Sequence, residues 1–276
     1  MRCSMFSIVF LGDTMLGRIV NEGLRKHGHG YVWGDTLSVL QKANWRLMNL
    51  ECVMSNQGQP WDITPKVFHF RSDLENIHSL QLAAIDMVSC ANNHVLDYGY
   101  EAMTEMLDTF DAMSFPYVGV GRNDQEATQM VVSKVDGASI GVIACTDNEP
   151  GWAASHKEMG AYYVALDNDE DCAALVERVR QNSPLVDICI VSIHWGGNWG
   201  QEVPLIHQRI GRLLIDAGAS LVFGHSSHIL RGVEMYRGCP IIYAAGDFVD
   251  DYAIDEDVRN DLGAIFYVHW DASWVC

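Results

Sequence analysis

The sequence is short of positive charge. Eighteen Lys and Arg stand against 36 Asp and Glu, a formal net charge of −18 over 276 residues. Nucleic-acid binding and adhesion to anionic lipid both need a basic footprint, so neither partner is expected. An anionic substrate has to be captured by a local positive feature such as a metal ion. No apolar run reaches about 18 residues, so no transmembrane helix or membrane anchor is expected. The opening MRCSMFSIVFLGD has one early Arg and a short apolar stretch, but FSIVFLGD has the form of a first core strand rather than of a leader. The eight cysteines are widely spaced and include no C-x-x-C pair. They read as reduced thiols used as small core residues, not as disulfides or zinc ribbons, which points to a reducing, cytoplasmic setting. No linker rich in Pro, Gly or Ser and no internal repeat divides the chain, so a single soluble domain over 1–276 is expected.

What is present is a regular alternation. Apolar, β-rich runs occur at 6–11, 86–90, 139–145, 186–193, 220–223 and 240–245. Between them, helical periodicity marks 16–27, 35–43, 73–83, 100–112, 169–182 and 204–217. Strands alternating with helices predict a layered α/β domain.

The chemistry collects after the strands. The first is followed by GDTMLGR, carrying Asp13 and Arg18, and a short apolar run ends in NLE, with Asn49 and Glu51. Later runs are followed by ANNHVLDYG (Asn92, Asn93, His94, Asp97), HWGGNWGQE (His194, Glu202), GHSSH (His225, His228) and GDFVDDY (Asp247). Ligands of open α/β sheets bind outside the carboxyl ends of strands. Taken singly, Asp13 could be a turn residue, Glu51 a surface residue and His194 a satisfied core histidine. Their recurrence at successive strand ends favours one shared metal site. Carboxylate, amide and imidazole ligands without thiolates suit divalent Mn, Fe, Co, Ni or Zn, in an open catalytic centre rather than a closed structural one.

These motifs, together with DAGASLVFGHSSHILRGVE at 216–234 and PKVFHFRSD at 65–73, resemble the CapA (PgsA) poly-γ-glutamate synthesis proteins of the calcineurin-like metallophosphoesterase superfamily. The likeness runs in order from about residue 7 to 250. It implies a four-layer α/β/β/α sandwich with a metal site at one rim. By position, it implies Asp13, Glu51, Asn93, His194, His225 and His228 as metal ligands, with Glu51 bridging, and His94 as general acid. Arg18 and Lys66 would neutralise substrate charge, and Trp195, with Trp152 and Trp199, would line the pocket beside Glu202. One departure bears on metal number. The superfamily's Asp-x-His is here Asp13-x-Met15, and a thioether is a poor ligand for hard ions, so one or two metals are expected. The leading expectation is hydrolysis of a phosphate ester or anhydride. The alternatives are cleavage or formation of a γ-glutamyl or peptide amide, and a non-catalytic part in a biosynthetic complex.

Overall fold

The computed structural model describes residues 6–270. Two six-stranded sheets form its middle. In the first, strands Asp247–Val249, Phe6–Thr14, Trp45–Leu50, Met87–Ser89 and Tyr117–Val118 lie side by side and parallel, and Ile265–Trp270 runs antiparallel along Phe6–Leu11. In the second, Cys239–Ile242, Leu221–His225, Ile188–His194 and Ala138–Thr146 are parallel, flanked by antiparallel Val233–Tyr236 and Val131–Val135.

Strand alternation sorts the side chains into layers. Phe6, Ile8 and Phe10 face the second sheet and meet Ile140, Val142, Ile188, Ile190, Leu221 and Phe223 in a core between the sheets. Val9 and Leu11 point the other way, into an outer core shared with Leu24, Leu80, Met103 and Phe110. On the opposite flank Ile143, Val191 and Val222 pack under helices Asp169–Asn182 and Leu205–Asp216, through Leu175, Val179, Ile210 and Leu214. The result is the expected four-layer sandwich. No helix among the described residues is long and apolar enough to cross a membrane.

Three edge strands, Val131–Val135, Val233–Tyr236 and Ile265–Trp270, were outside the sequence expectation. Val131–Val135 and Val233–Tyr236 alternate between half-buried and exposed residues and carry no long apolar run, whereas in Ile265–Trp270 residues 265–268 are contiguously apolar, so that strand did carry a signal. The segment expected to be helical at 35–43 is a 3₁₀ turn, Tyr31–Thr36, followed by a single α turn, Leu37–Leu40. Cys52, Cys90, Cys145, Cys172 and Cys189 are free and buried, as expected. Cys239 corrects that expectation, because it is disulfide-bonded.

Two glycines set up the rim. A Cβ on Gly12 would lie 1.9 Å from the Gly246 carbonyl oxygen. The Asp13 amide donates to that same oxygen (3.0 Å), and Gly246 takes φ +68°. Only two residues without side chains permit this approach. It places Asp13 directly opposite Asp247.

Candidate metal centre

The parallel strands of both sheets end at one rim and carry the polar residues there. Asp13 pairs in register with Asp247 on one side and Asn49 on the other, and His194 pairs with His225. Two groups of ligand atoms result, each with all members within 4.8 Å of one another: Asp13 with His194 and His225, and Asp13 with Glu51, His228 and Asp247. Every one of these residues is buried.

The carboxylates come from the first sheet. Asp13 accepts from Asn49 Nδ2 at Oδ1 (2.7 Å) and from the Ser226 amide at Oδ2 (3.1 Å). Burial and the nearby charge of Asp247 still push it up to about 6. Glu51 is raised well above its usual value by burial and then by Asp13 and Asp247, and neither of its oxygens is hydrogen-bonded. Asp247 is raised by burial, and its Oδ2 is likewise without a partner. Three crowded acids with three unpartnered oxygens call for a positive charge among them.

The imidazoles come from the second sheet, and their outer contacts decide what their inner nitrogens can do. His194 Nε2 meets Asn93 Oδ1 at 2.9 Å, and His225 Nε2 meets Ser192 Oγ at 2.9 Å. The two Nδ1 atoms are hydrogen-bonded at 2.8 Å: with His194 donating from Nε2 to Asn93, His225 donates from Nδ1 to His194 Nδ1 and its Nε2 accepts from the Ser192 hydroxyl. Asp13 Oδ1 lies 4.0 Å from the first nitrogen and 3.8 Å from the second. Ligand atoms at ordinary metal–nitrogen distance around a tetrahedral ion stand about 3.4 Å apart, so these three atoms nearly frame one. Burial, together with the neighbouring imidazoles, holds His194 far below its usual value, and burial pushes His225 down to about 3. Both remain neutral bases, the form a metal needs. His228 differs. Burial opposes its protonation, but its hydrogen bond to Asp247 (2.9 Å) and the charges of Asp247, Asp13 and Asp250 outweigh that and raise it.

His94 stands beside the acids. Its Nδ1 meets Asp97 Oδ2 at 2.6 Å and its Nε2 lies 3.6 Å from Glu51 Oε1. Phe70 stacks on the ring at 4.1 Å between centroids, and the Phe70 amide donates to the same Asp97 oxygen (2.6 Å). The ring therefore has one orientation. Burial lowers His94, and Asp97 opposes that shift. A cavity of about 450 Å³ opens over His94, Asn93 and His228, bounded by Arg18, Lys66, Phe70, Trp199 and Tyr252.

The structure thus brings Asp13, Glu51, Asn93, His94, His194, His225 and His228 together, with Arg18 and Lys66 at the mouth. Asn93 sits behind His194 and holds its ring. The resemblance puts Glu51 in the bridging place, whereas the carboxylate shared by both groups here is Asp13. Met15 is fully buried, its sulfur accepting from the Gly17 amide (3.0 Å). Trp195 does not line the cavity: it is buried, donates to the Tyr243 carbonyl (2.8 Å) and stacks on His207. Trp152 is also buried, with Lys66 over its ring, and Trp199 alone of the three reaches the cavity. Glu202 is exposed on the loop after His194 and is not part of the lining. Asp247 was legible as a strand-end acid but not as a member of the ligand group. Tyr252, whose hydroxyl is buried without a partner and held strongly un-ionised by burial and then Glu51, had no signal of its own.

Fold and site together define a class: a four-layer α/β protein whose strand ends gather imidazoles and carboxylates that could hold a metal ion. Residues 7–252 match the family described as bacterial capsule synthesis protein PGA_cap, and the chain belongs to that family. It is 32% identical over 302 residues to a probable polyglutamine synthesis accessory protein of Mycobacterium tuberculosis, covering 94% of this chain and 79% of that one. It is 26% identical to the PGA biosynthesis protein CapA of Bacillus subtilis, covering 90% of this chain and 64% of the relative. With the capsule biosynthesis protein CapA of Bacillus anthracis it shares 24% identity, over 89% of this chain and 60% of the relative. The chain spans under two thirds of both CapA proteins. Among solved structures, a hypothetical protein from Thermus thermophilus superposes with a TM-score of 0.51 at 14% identity, over 87% of this chain and 76% of that one.

Proposed function

We propose that this chain is a divalent-metal-dependent hydrolase of a phosphate ester or anhydride. The observation that supports it most is the pair of Nδ1 atoms of His194 and His225, facing each other at 2.8 Å beside a carboxylate shared with a second, acid-rich group. A proton shared between the two nitrogens satisfies the pair in the metal-free protein, and a divalent ion replacing that proton would take both nitrogens together with Asp13. Mn, Fe, Co, Ni or Zn fits the donor set, one ion at each group or one in all. A bound ion supplies Lewis acidity toward a phosphoryl or carbonyl oxygen and makes water a better nucleophile at neutral pH.

The chain's own residues do the rest. Asp97 fixes the tautomer and tilt of His94, so its Nε2 is presented beside Glu51, where the neutral ring would accept a proton from water and the resulting imidazolium would pass it to a leaving oxygen. Arg18 and Lys66 line the cavity, each tied to acids of the chain, Arg18 to Asp251 and Lys66 to Glu149 and Asp97, so they shape its wall rather than clamp an anion. Asn93 and Ser192 hold the outer nitrogens of the two inner imidazoles, which fixes the direction in which their Nδ1 atoms point. Metal analysis of purified protein and turnover of an aryl phosphate test the reading together. Expected are at least one bound divalent ion and a rate lost in His225→Ala. Absence of metal after incubation with excess Mn²⁺ and Zn²⁺ would sink it.

A second reading keeps the site and changes the bond. The names of the relatives, polyglutamine synthesis and PGA biosynthesis, favour a γ-glutamyl amide. Lewis-acid activation and a placed proton donor serve that carbonyl equally. Release of amine from γ-glutamyl amides, measured beside the phosphate assay, separates the two. The word accessory in one relative's name favours a third reading, a non-catalytic partner in a complex. A metal-loaded protein inert to both substrate types would favour that one.

A further inference from the structure

The cavity beside the metal centre has an unusual wall. Val67 is 84% exposed, Phe68 56% and Trp199 57%, and all three line it. Phe70 and Tyr252 continue the surface inward, 5.7 Å apart between ring centroids, to the His94 and His228 rings. Large apolar groups standing in water at the mouth of a polar site need a reason. They are also held in place. Buried Arg231 donates from Nε to the Gly200 carbonyl (2.8 Å) and from Nη2 to the Trp199 carbonyl (3.1 Å). Lys66 anchors the Val67–Phe68 side by donating to the Asn93 carbonyl (2.6 Å).

The same wall is poor in free positive charge. Arg18 is paired with Asp251 (3.3 Å), and Lys66 with Glu149 (3.1 Å) and Asp97 (3.4 Å). The chain around them carries a net −18. A polyanion laid through this opening would meet acids and aromatic rings, with no track of cations to follow. Only the innermost point, at the proposed metal ions, attracts a negative or polarised oxygen.

From this the geometry points to a substrate class: a compact phosphoryl or acyl head carried on a single apolar body, preferably aromatic, rather than a polyanionic chain. The head sits at the imidazole–carboxylate cluster and the body lies between Phe68, Phe70, Trp199 and Tyr252. About 450 Å³ is room enough for such a head and body together. The inference rests on the metal-dependent reading for its head group, while its body is specified by the wall alone.

Calorimetric binding of phenylphosphonate and methylphosphonate to the metal-loaded protein tests it without any turnover. Phenylphosphonate should bind at least tenfold more tightly. Phe68→Ala and Trp199→Ala should each bring the ratio below threefold while metal content stays at the wild-type level. Wild-type affinities within threefold of each other overturn the inference. So does failure of both phosphonates to bind, or displacement of phenylphosphonate by poly-γ-glutamate at equal molar concentration. Phenyl phosphate that binds with the tenfold preference but is not hydrolysed refutes the phosphate-hydrolase function and leaves the substrate-site inference standing.

Discussion

Replacing Asp13 by Asn should make the metal-free protein more stable while abolishing its response to metal. In the folded state the carboxyl holds its proton up to about 6, against 3.8 in an unfolded chain. A raised carboxyl contributes stability at low pH that is lost as pH rises from about 4 to about 6. Above that window the ionised group costs the fold roughly 3 kcal/mol. An amide avoids that cost but accepts only one of the two donors now bonded to Asp13, from Asn49 and Ser226. The stranded donor costs about 2 kcal/mol. The net gain at pH 7.5 is about 1 kcal/mol, a rise of about 3 °C in melting temperature. At pH 4.5, where the native carboxyl is protonated, the avoided cost falls to about 1 kcal/mol and the variant should be about 1 kcal/mol less stable than wild type. Wild-type protein in Mn²⁺ at 100 times its dissociation constant should gain about 2.7 kcal/mol, and Asp13→Asn nearly none. Thermal melts in chelator and in Mn²⁺, at both pH values, read all of this. A variant less stable than wild type in chelator at pH 7.5, or one still stabilised by metal, refutes the reasoning.

His94→Ala and Asp97→Asn should each lower aryl phosphate turnover by about 10²- to 10⁴-fold with metal content unchanged. Equal rates in either variant would remove His94 from the chemistry. His207, pushed down to about 4 by burial and Arg231, contributes stability above its unfolded value that is lost as pH falls from 6.5 toward 4. His207→Phe keeps the stack on Trp195 and should unfold in urea like wild type at pH 7.5 but resist pH 5 better, by about 1–2 kcal/mol. Arg46 is buried, donating to Asp86 (2.9 Å) and to the Leu40 carbonyl (2.7 Å). Arg46→Ala should cost about 3 kcal/mol in urea unfolding, and a loss under 1 kcal/mol would show the pair to be dispensable.

The layers were legible because buried parallel strands are written as apolar runs, as in ICIVSI at 188–193, and their ends as abrupt polar clusters. The edge strands at 131–135 and 233–236 were not, since their half-exposed residues carry no such mark. Recurrence at strand ends marked a shared site, and the resemblance named five of the six residues in the two groups, Asp13, Glu51, His194, His225 and His228, but not Asp247. Which carboxylate is shared was not legible, because it depends on the contact between Gly12 and Gly246, 234 positions apart, that sets Asp13 against Asp247. Trp195 misled for a similar reason. It follows a strand-end histidine, but the strand's alternation turns it into the outer core while His194 faces the rim. Residue type and spacing show what chemistry a segment can offer; the direction of each side chain comes from register, which is a property of two strands at once.

The division of labour between the sheets follows from the same register. Asp13, Glu51 and Asp247 all belong to the ends of the first sheet, and His194, His225 and His228 to those of the second. His228 alone answers the acids, its hydrogen bond to Asp247 raising it, while His194 and His225 are held neutral and Glu51 keeps two unpartnered oxygens. A divalent cation, if bound, would take the unpartnered oxygens of one sheet and the inner nitrogens of the other as its ligands. The core between the sheets is apolar from Phe6 to Phe223 and supplies no polar bridge of its own. On the proposed reading, metal binding would join the two halves of the sandwich at this rim, and the buried acids that cost the metal-free fold stability would be the ones that make the site.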